Sequence, residues 1–235
     1  MIQCLTVGSG LIANNFQNVQ FEKKIVIFAS GVSNSLETSV AEFQREKVLL
    51  THTIDHYREH HVVYFSSCSA NSGILSPYVK HKQNMENVVS SSASSFNVFR
   101  LPQLVGRVKN STLISYLVNA ILDGQTFNVQ SLSTRNLLDI VDLVRVVKTL
   151  INQNLGLNSI QNIASLKSVP VLDIVSEISK ILQRSPKFDL VPDGYCQNID
   201  IEFLKKTLNL QDILLKDDYW VHVLRRYVSV YGLES

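Results

Sequence analysis

Cysteine is scarce in this chain. Its 235 residues hold three, Cys4, Cys68 and Cys196, far apart in sequence. They form neither a zinc pattern nor an even disulfide set, which points to a reducing compartment. An excess of one charge sign is lacking too. With 22 basic and 20 acidic residues the net charge is +2, not the basic footprint of a nucleic-acid partner. No apolar run approaches the roughly 20 residues that a membrane-spanning helix needs. MIQCLTVGSG, at the start, has no basic stretch ahead of its short apolar run, so no signal peptide is expected. Internal repeats and blocks of like charge are also missing. Apolar residues are plentiful, at 45% against 18% charged, enough for a core and too many for wholesale disorder. A cytoplasmic, soluble protein is expected, built as one sizeable domain or one with a small appendage.

Short apolar runs alternate with longer amphipathic stretches. Residues 2–7, 24–29, 61–66 and 96–101 read as strands, and 11–16, 37–60 and 76–90 as the helices between them. The run VVYF suits a parallel strand covered on both faces. This βαβα order predicts an α/β fold, a doubly wound parallel sheet of the Rossmann type. Beyond Pro102, helices are expected at 111–123, ending at Gly124, and at 138–152, 170–183, 200–208 and 217–230; 126–130 and 159–163 read as extended. SSSASS at 90–95 reads as a surface turn.

The first turn reads Gly8-Ser9-Gly10-Leu11-Ile12-Ala13, a G-x-G-x-x-A pattern after a strand and at the start of a helix. In such a turn Gly8 permits the tight bend, Gly10 lets the backbone approach a pyrophosphate, and Ala13 lets helix and strand pack closely. The helix start offers free N–H groups to the phosphates. An ordinary glycine-rich βα turn would look similar. A dinucleotide fold also supplies an acid about 20 residues on, at the end of its second strand. Only eight residues separate Phe16 from the apolar run at Ile25, too few for a second strand, its helix and a third strand. Glu22 is the nearby acid, followed by Lys23 and Lys24, so the choice between NAD and NADP has no direct marker.

A second constellation runs through VVYFSSC at 62–68 and SPYVKHK at 76–82. Ser76 is a good N-cap and Pro77 a good first residue for a helix. On that helix Tyr78 and Lys82 are four apart and share a face. A phenol titrates near 10, and a neighbouring ammonium favours the phenolate. A serine at the end of the preceding strand could hold a carbonyl oxygen beside the phenol. These are the parts needed to protonate an alkoxide as hydride arrives. Tyrosine and lysine four apart also occur by chance on many helices. The pair gains weight from the strand ending in Ser-Ser and from the glycine turn upstream.

With these residues in place, the sequence resembles the short-chain dehydrogenase/reductase superfamily, in its extended or atypical branch of sugar-nucleotide epimerases, dehydratases and reductases. GSGLIA is similar to the family's glycine turn, VIFASG to its fourth strand and adenine-side loop, and FSSCS with PYVKHK to the catalytic Ser and Tyr-x-x-x-Lys. FRLPQLVGR, RNLLDIVDLVRVV and NIASLKSVPVLDIVSEISKIL resemble later family segments in the same order. The resemblance implies Tyr78 as general acid/base, Lys82 as the residue that lowers its pKa and holds the nicotinamide ribose, and Ser67 as the catalytic serine, with Ser66 the fallback. It implies a pyrophosphate lined by Gly8, Ser9, Gly10, Leu11, Ile12 and Ala13, an adenosine near Ala29, Ser30 and Gly31, and a nicotinamide near Leu101 and Pro102. No metal is implied.

The implied activity is an NAD(P)-dependent reductase of a keto sugar nucleotide, with NADP(H) as the expected form of the cofactor, in surface-polysaccharide precursor synthesis. A dehydratase would carry an acid pair where this chain has Ser67-Cys68-Ser69. An epimerase and a non-enzymatic dinucleotide-binding module stay open. Residues 1–105 and about 125–165 are expected to form the Rossmann domain, and about 106–124 and 166–235 a small lobe for the nucleotide-sugar substrate. Lys109, Arg135 and Arg225 or Arg226 are candidate diphosphate contacts. A homodimer is compatible with the resemblance; neither nucleic acid nor membrane is expected as a partner. The chain departs from the family at Asn136, where an aspartate is usual, and in lacking an evident Asn on the helix before the catalytic serine, near Glu42. His52, His56 and His60 share helical spacing and read as a solvated face. Cys68 reads as packing, and Trp220 as core or interface.

Overall fold

The computed structural model describes residues 1–73, 75–107, 112–196, 198–209 and 212–231. In chain order the elements used below are β1 (Leu5–Val7), α1 (Leu11–Phe16), β2 (Ile25–Phe28), α2 (Val40–His56), β3 (His61–Ser67), α3 (Pro77–Ser92), β4 (Phe96–Leu101), β5 (Gln103–Val105), α4 (Leu113–Leu122), β6 (Thr126–Gln130), β7 (Leu137–Asp139), α5 (Ile140–Asn152), β8 (Ser159–Asn162), α6 (Val171–Leu182), β9 (Lys187–Val191), α7 (Glu202–Thr207) and α8 (Tyr219–Tyr231).

The chain divides into two compact units. The first holds Met1–Leu101, Ile140–Ile163 and Glu202–Thr207. Its five-stranded sheet has the order β8-β4-β3-β2-β1, parallel throughout. Strand β3 lies at the centre, buried from His61 to Ser66, as its unbroken apolar run requires. The core here includes Val26, Phe28, Leu50, Ile54, Val62, Tyr64, Met85, Val89 and Val98, which joins sheet, α2 and α3. Helix α2 is capped by the Ser39 side chain, which accepts from Glu42 N, and α3 by Ser76, which accepts from Val79 N, with Pro77 in its first turn.

Among the described residues, the sheet carries no further strand beyond β1. The short pair Ile2–Gln3 and Gln20–Phe21, antiparallel to each other, forms a separate ribbon. A full dinucleotide fold places two further strands on that side. The short spacing between Phe16 and Ile25 therefore takes the form, in three dimensions, of a sheet that ends at β1.

The second unit holds Pro102–Asp139, Ala164–Ile201 and Leu208–Ser235. In it β5 pairs with β7 and β6 with β9, both in parallel, and α4, α6 and α8 pack together. Asp139 is buried and accepts from the Tyr227 hydroxyl at 2.7 Å and from Arg226. Its own N–H donates to the Tyr219 hydroxyl at 3.0 Å. Tyr219, not Trp220, is thus the fully buried aromatic of this segment.

Several expectations change in detail. Residues 102–105 and 126–139 group with the second unit rather than with the Rossmann part, and Glu202–Thr207 with the first. The helix expected from 138 starts at Ile140, because Leu137–Asp139 is strand β7. Ser90–Ser92 complete α3 rather than form a turn. Cys4 interrupts the first strand run: its Sγ turns inward to the Phe16 carbonyl at 3.1 Å. Among the described residues no helix is long and apolar enough to cross a membrane.

Candidate active site

Three segments at the carboxyl end of the first unit's sheet carry the candidate residues. The first follows β1. Gly8 has φ +130°, and a Cβ there would lie 2.4 Å from the Ala29 carbonyl oxygen, so only glycine fits. Ala29 N donates to Val7 O at 2.8 Å, which ties this turn to the end of β2. Gly10 is the opposite case. A Cβ on it would meet no atom within 4 Å, leaving open the space where a pyrophosphate would approach the backbone. Ser9 is exposed, Leu11 and Ile12 are half-buried, and Ala13 is buried against the sheet. This turn fits the phosphates of a dinucleotide. Among the described residues, no strand beyond β1 supplies the usual acid for the adenine ribose.

The second segment, Ala29, Ser30 and Gly31, follows β2. Arg45 of α2 donates to the Ser30 carbonyl at 3.3 Å and to its hydroxyl at 3.4 Å. Gly31 backs directly on Lys82: a Cβ there would come within 2.8 Å of Nζ.

The third segment is the end of β3 together with α3. Alternation along the strand separates the two serines. Ser66 is buried and donates to Glu86 Oε1 at 2.6 Å, beside the Glu86–Arg100 ion pair at 2.6 Å. Ser66 is thereby committed to the core. Ser67 is half-buried; its hydroxyl donates to Ser69 Oγ at 3.1 Å and accepts from Ser69 N at 3.2 Å. Leu101 pairs with Ser67 in register and is buried, and Pro102 is the first residue of the second unit. Tyr78 and Lys82 lie on the same face of α3 and are 6% and 3% exposed. The Lys82 ammonium sits 5.8 Å from the Tyr78 ring centroid.

One residue that the sequence reading missed sits at the centre of this arrangement. Glu46 of α2 is fully buried. Its carboxylate accepts from Val32 N at 2.6 Å, Tyr64 Oη at 2.6 Å, His81 Nε2 at 2.8 Å and Lys82 Nζ at 3.1 Å. Burial opposes its charge, but His81, Lys82, Tyr64 and Val32 together hold it at about 2. Glu42, one helical turn earlier, is exposed and pairs with Arg45. A signal for Glu46 does exist in the sequence: it lies on the buried stripe with Leu50, Thr53 and Ile54.

Glu46 also corrects the electrostatic expectation for Tyr78, that Lys82 lowers the phenol's pKa. Burial instead pushes Tyr78 up to about 12, with the nearby Ser67 hydroxyl opposing and the Glu46 charge adding to the rise. The Lys82 charge is compensated by Glu46 in the same buried space. Cys68 is buried with Sγ 3.4 Å from the Arg100 carbonyl, and burial pushes its thiol up to about 12.

Of the candidate diphosphate contacts, Arg226 is engaged by Asp139 and Arg225 by Glu177. Arg135 is half-buried and donates to the Thr134 carbonyl; among the described residues it has no carboxylate partner. Lys109 lies outside the described residues. Asn136, in place of the family's aspartate, is buried and exchanges hydrogen bonds with Ser165.

Searches against protein-family models and curated proteins give no match. Solved structures do match in fold. RMD from Pseudomonas aeruginosa, complexed with NADPH, superposes with a TM-score of 0.77 at 13% identity, over 100% of both chains. UDP-glucose 4-epimerase from Thermus thermophilus, complexed with NAD, gives 0.70 at 13% identity, over 88% of this chain and 77% of the other. A dTDP-4-dehydrorhamnose reductase from Clostridium acetobutylicum gives 0.69 at 16% identity, over 88% and 81%. The chain therefore shares the α/β fold of these solved enzymes. That fold serves a reductase and an epimerase alike, so the fold does not choose the reaction.

Proposed function

We propose that this chain is an NAD(P)-dependent reductase of a keto sugar nucleotide. The observation that carries the reading is the buried Tyr78–Lys82 pair on one face of α3, with Lys82 Nζ 5.8 Å from the Tyr78 ring centroid and Ser67 at the carboxyl end of β3. Reduced nicotinamide, when bound, supplies the hydride. As charge grows on the ketone oxygen, the Ser67 hydroxyl donates a hydrogen bond to it and Tyr78 transfers its phenolic proton. A site whose tyrosine keeps its proton is suited to giving one to an alkoxide. On this reading the Gly8–Ala13 turn holds the pyrophosphate, and the second unit holds the sugar nucleotide, with Arg135 at its diphosphate. NADP(H) is the form this reading favours, since Arg45 brings a guanidinium to the Ser30 loop and, among the described residues, the sheet has no strand beyond β1 to carry the usual ribose acid.

A second reading, a dinucleotide-binding module without turnover, draws on the sheet ending at β1. The test is NAD(P)H oxidation with a panel of 4-keto-6-deoxy sugar nucleotides. Wild type should turn over at least one, and Tyr78→Phe should lose about 10²–10⁴-fold in turnover while keeping its fold. Full activity in Tyr78→Phe overturns the assignment. Interconversion of epimers without net NAD(P)H loss moves the reading to an epimerase, and dinucleotide binding with neither activity moves it to the binding module.

A further inference from the structure

The reductase reading assigns roles to Ser67, Tyr78 and Lys82 but none to Glu46, a fully buried carboxylate of the first unit. We propose that Glu46 is a positioning residue that locks the Lys82 ammonium into a neutralised pair beside Gly31 and thereby sets the pH at which Tyr78 passes from phenol to phenolate. The inference rests on the reductase reading and deepens it, because it sets the pH range over which the acid works.

The geometry is specific. Glu46 is reached by four donors from three directions: the backbone of Val32, Tyr64 on β3, and both His81 and Lys82 on α3. His81 is itself fixed by stacking on Phe43, with ring centroids 4.5 Å apart. Lys82 Nζ also donates to Tyr64 Oη at 3.3 Å. Gly31 makes room for the pair, since a Cβ there would come within 2.8 Å of Lys82 Nζ and 3.0 Å of Glu46 Oε1. Lys82 is held on the Glu46 side.

The charged and titratable groups around Tyr78 and Lys82 are Glu46 and Arg45 from α2, Tyr64 from β3, Cys68 from the turn after it, and His81 and Glu86 from α3. An ammonium alone beside a phenol favours the phenolate. Paired with a carboxylate at 3.1 Å, it offers the phenol little net field. What remains is burial, which disfavours the phenolate. Ketone reduction needs the protonated phenol, and alcohol oxidation needs the phenolate. A charged Glu46 thus extends the pH range of the phenol upward and moves the alkaline limb of both directions to higher pH.

The test reads Tyr78 itself, without substrate or cofactor. Phenolate absorbance is titrated in folded wild type and in Glu46→Gln, each with its Tyr78→Phe counterpart as the reference that isolates this one tyrosine. Glu46→Gln keeps the shape and removes the charge. The Tyr78 phenolate should be missing from wild type up to pH about 10 and should form in Glu46→Gln at a pH lower than in wild type by at least about one, a tenfold change in proton concentration. Identical titrations overturn the proposal. If Glu46→Gln does not fold, wild type alone decides: a Tyr78 phenolate well formed below pH about 10 means that Lys82 is not neutralised, and its absence is the expected result. With an active substrate in hand, the alkaline fall in ketone reduction should move to lower pH in Glu46→Gln. A purely structural role would lower turnover equally at every pH. Because the titration needs no turnover, failure of the reductase reading and failure of this inference are separately visible.

Discussion

Two strands of one parallel sheet differ sharply in how their polar groups are used. On β3 each of four polar side chains has a specific partner: His61 bonds Ser95 and Asn97, Tyr64 bonds Glu46, Ser66 bonds Glu86, and Ser67 bonds Ser69. On β1 the three residues Leu5, Thr6 and Val7 are exposed or half-buried, and Thr6 makes only a long approach to Cys4 Sγ at 3.8 Å. The central strand is over-determined and the edge strand beside the glycine turn is pared down. A sheet can end early on one side and keep the polar network that hangs from its central strand and the helix behind it.

The largest effect should come from breaking the β3 network. Arg100→Met leaves Glu86 buried without its cation, and should cost about 3–5 kcal/mol in urea unfolding, toward the lower figure because Arg100 keeps some contact with water. Thr6→Ala on β1 should stay within about 0.5 kcal/mol. Equal costs for the two would erase the contrast.

Acid comes next. Burial, with the Lys23 charge adding to it, holds the His61 imidazole down at about 4. The unfolded chain takes a proton there near pH 6.5, while the native state refuses it until about pH 4. Stability should therefore be full above pH about 6.5 and fall as pH drops toward about 4. His61→Gln should flatten that part of a melting-temperature profile. An unchanged slope would mean that His61 is protonated in the native state.

The smallest effects separate the two glycines at the end of β1. Gly8→Ala meets the Ala29 carbonyl and a positive φ, and should destabilise by about 1–3 kcal/mol. Gly10→Ala meets nothing and should leave the melting temperature nearly unchanged, while weakening dinucleotide binding measured by calorimetry. If binding survives Gly10→Ala intact, the pyrophosphate does not use this turn.

The parts of this arrangement that follow a period could be read from the residues. Helix α1 covers Leu11–Phe16, as its expected span does, and the buried strands stand within a residue or so of their apolar runs. The missing flank is readable as chain length between Phe16 and Ile25. Strand β9 is not, because Lys187–Val191 is exposed or half-buried along its length and carries no alternation strong enough to mark it. Glu46 escapes for another reason. Two glutamates one helical turn apart look alike in sequence, and only the stripe of Leu50, Thr53 and Ile54 says which faces inward. The Tyr78 environment is misjudged for the same reason, since spacing on one helix shows Lys82 and cannot show a carboxylate arriving from another.

A sheet that stops at β1 has a raw border, and unpaired backbone along such a border is a template for a second chain. Here the return of the chain masks it: Ile2 and Gln3 pair with Phe21 and Gln20, and Cys4 N donates to Val19 O at 3.1 Å. Only Leu5–Val7 remain on offer, less than the usual length of a strand. Shedding two strands therefore need not make the protein prone to edge-to-edge aggregation, because the few residues that stand in their place fold back as a hem.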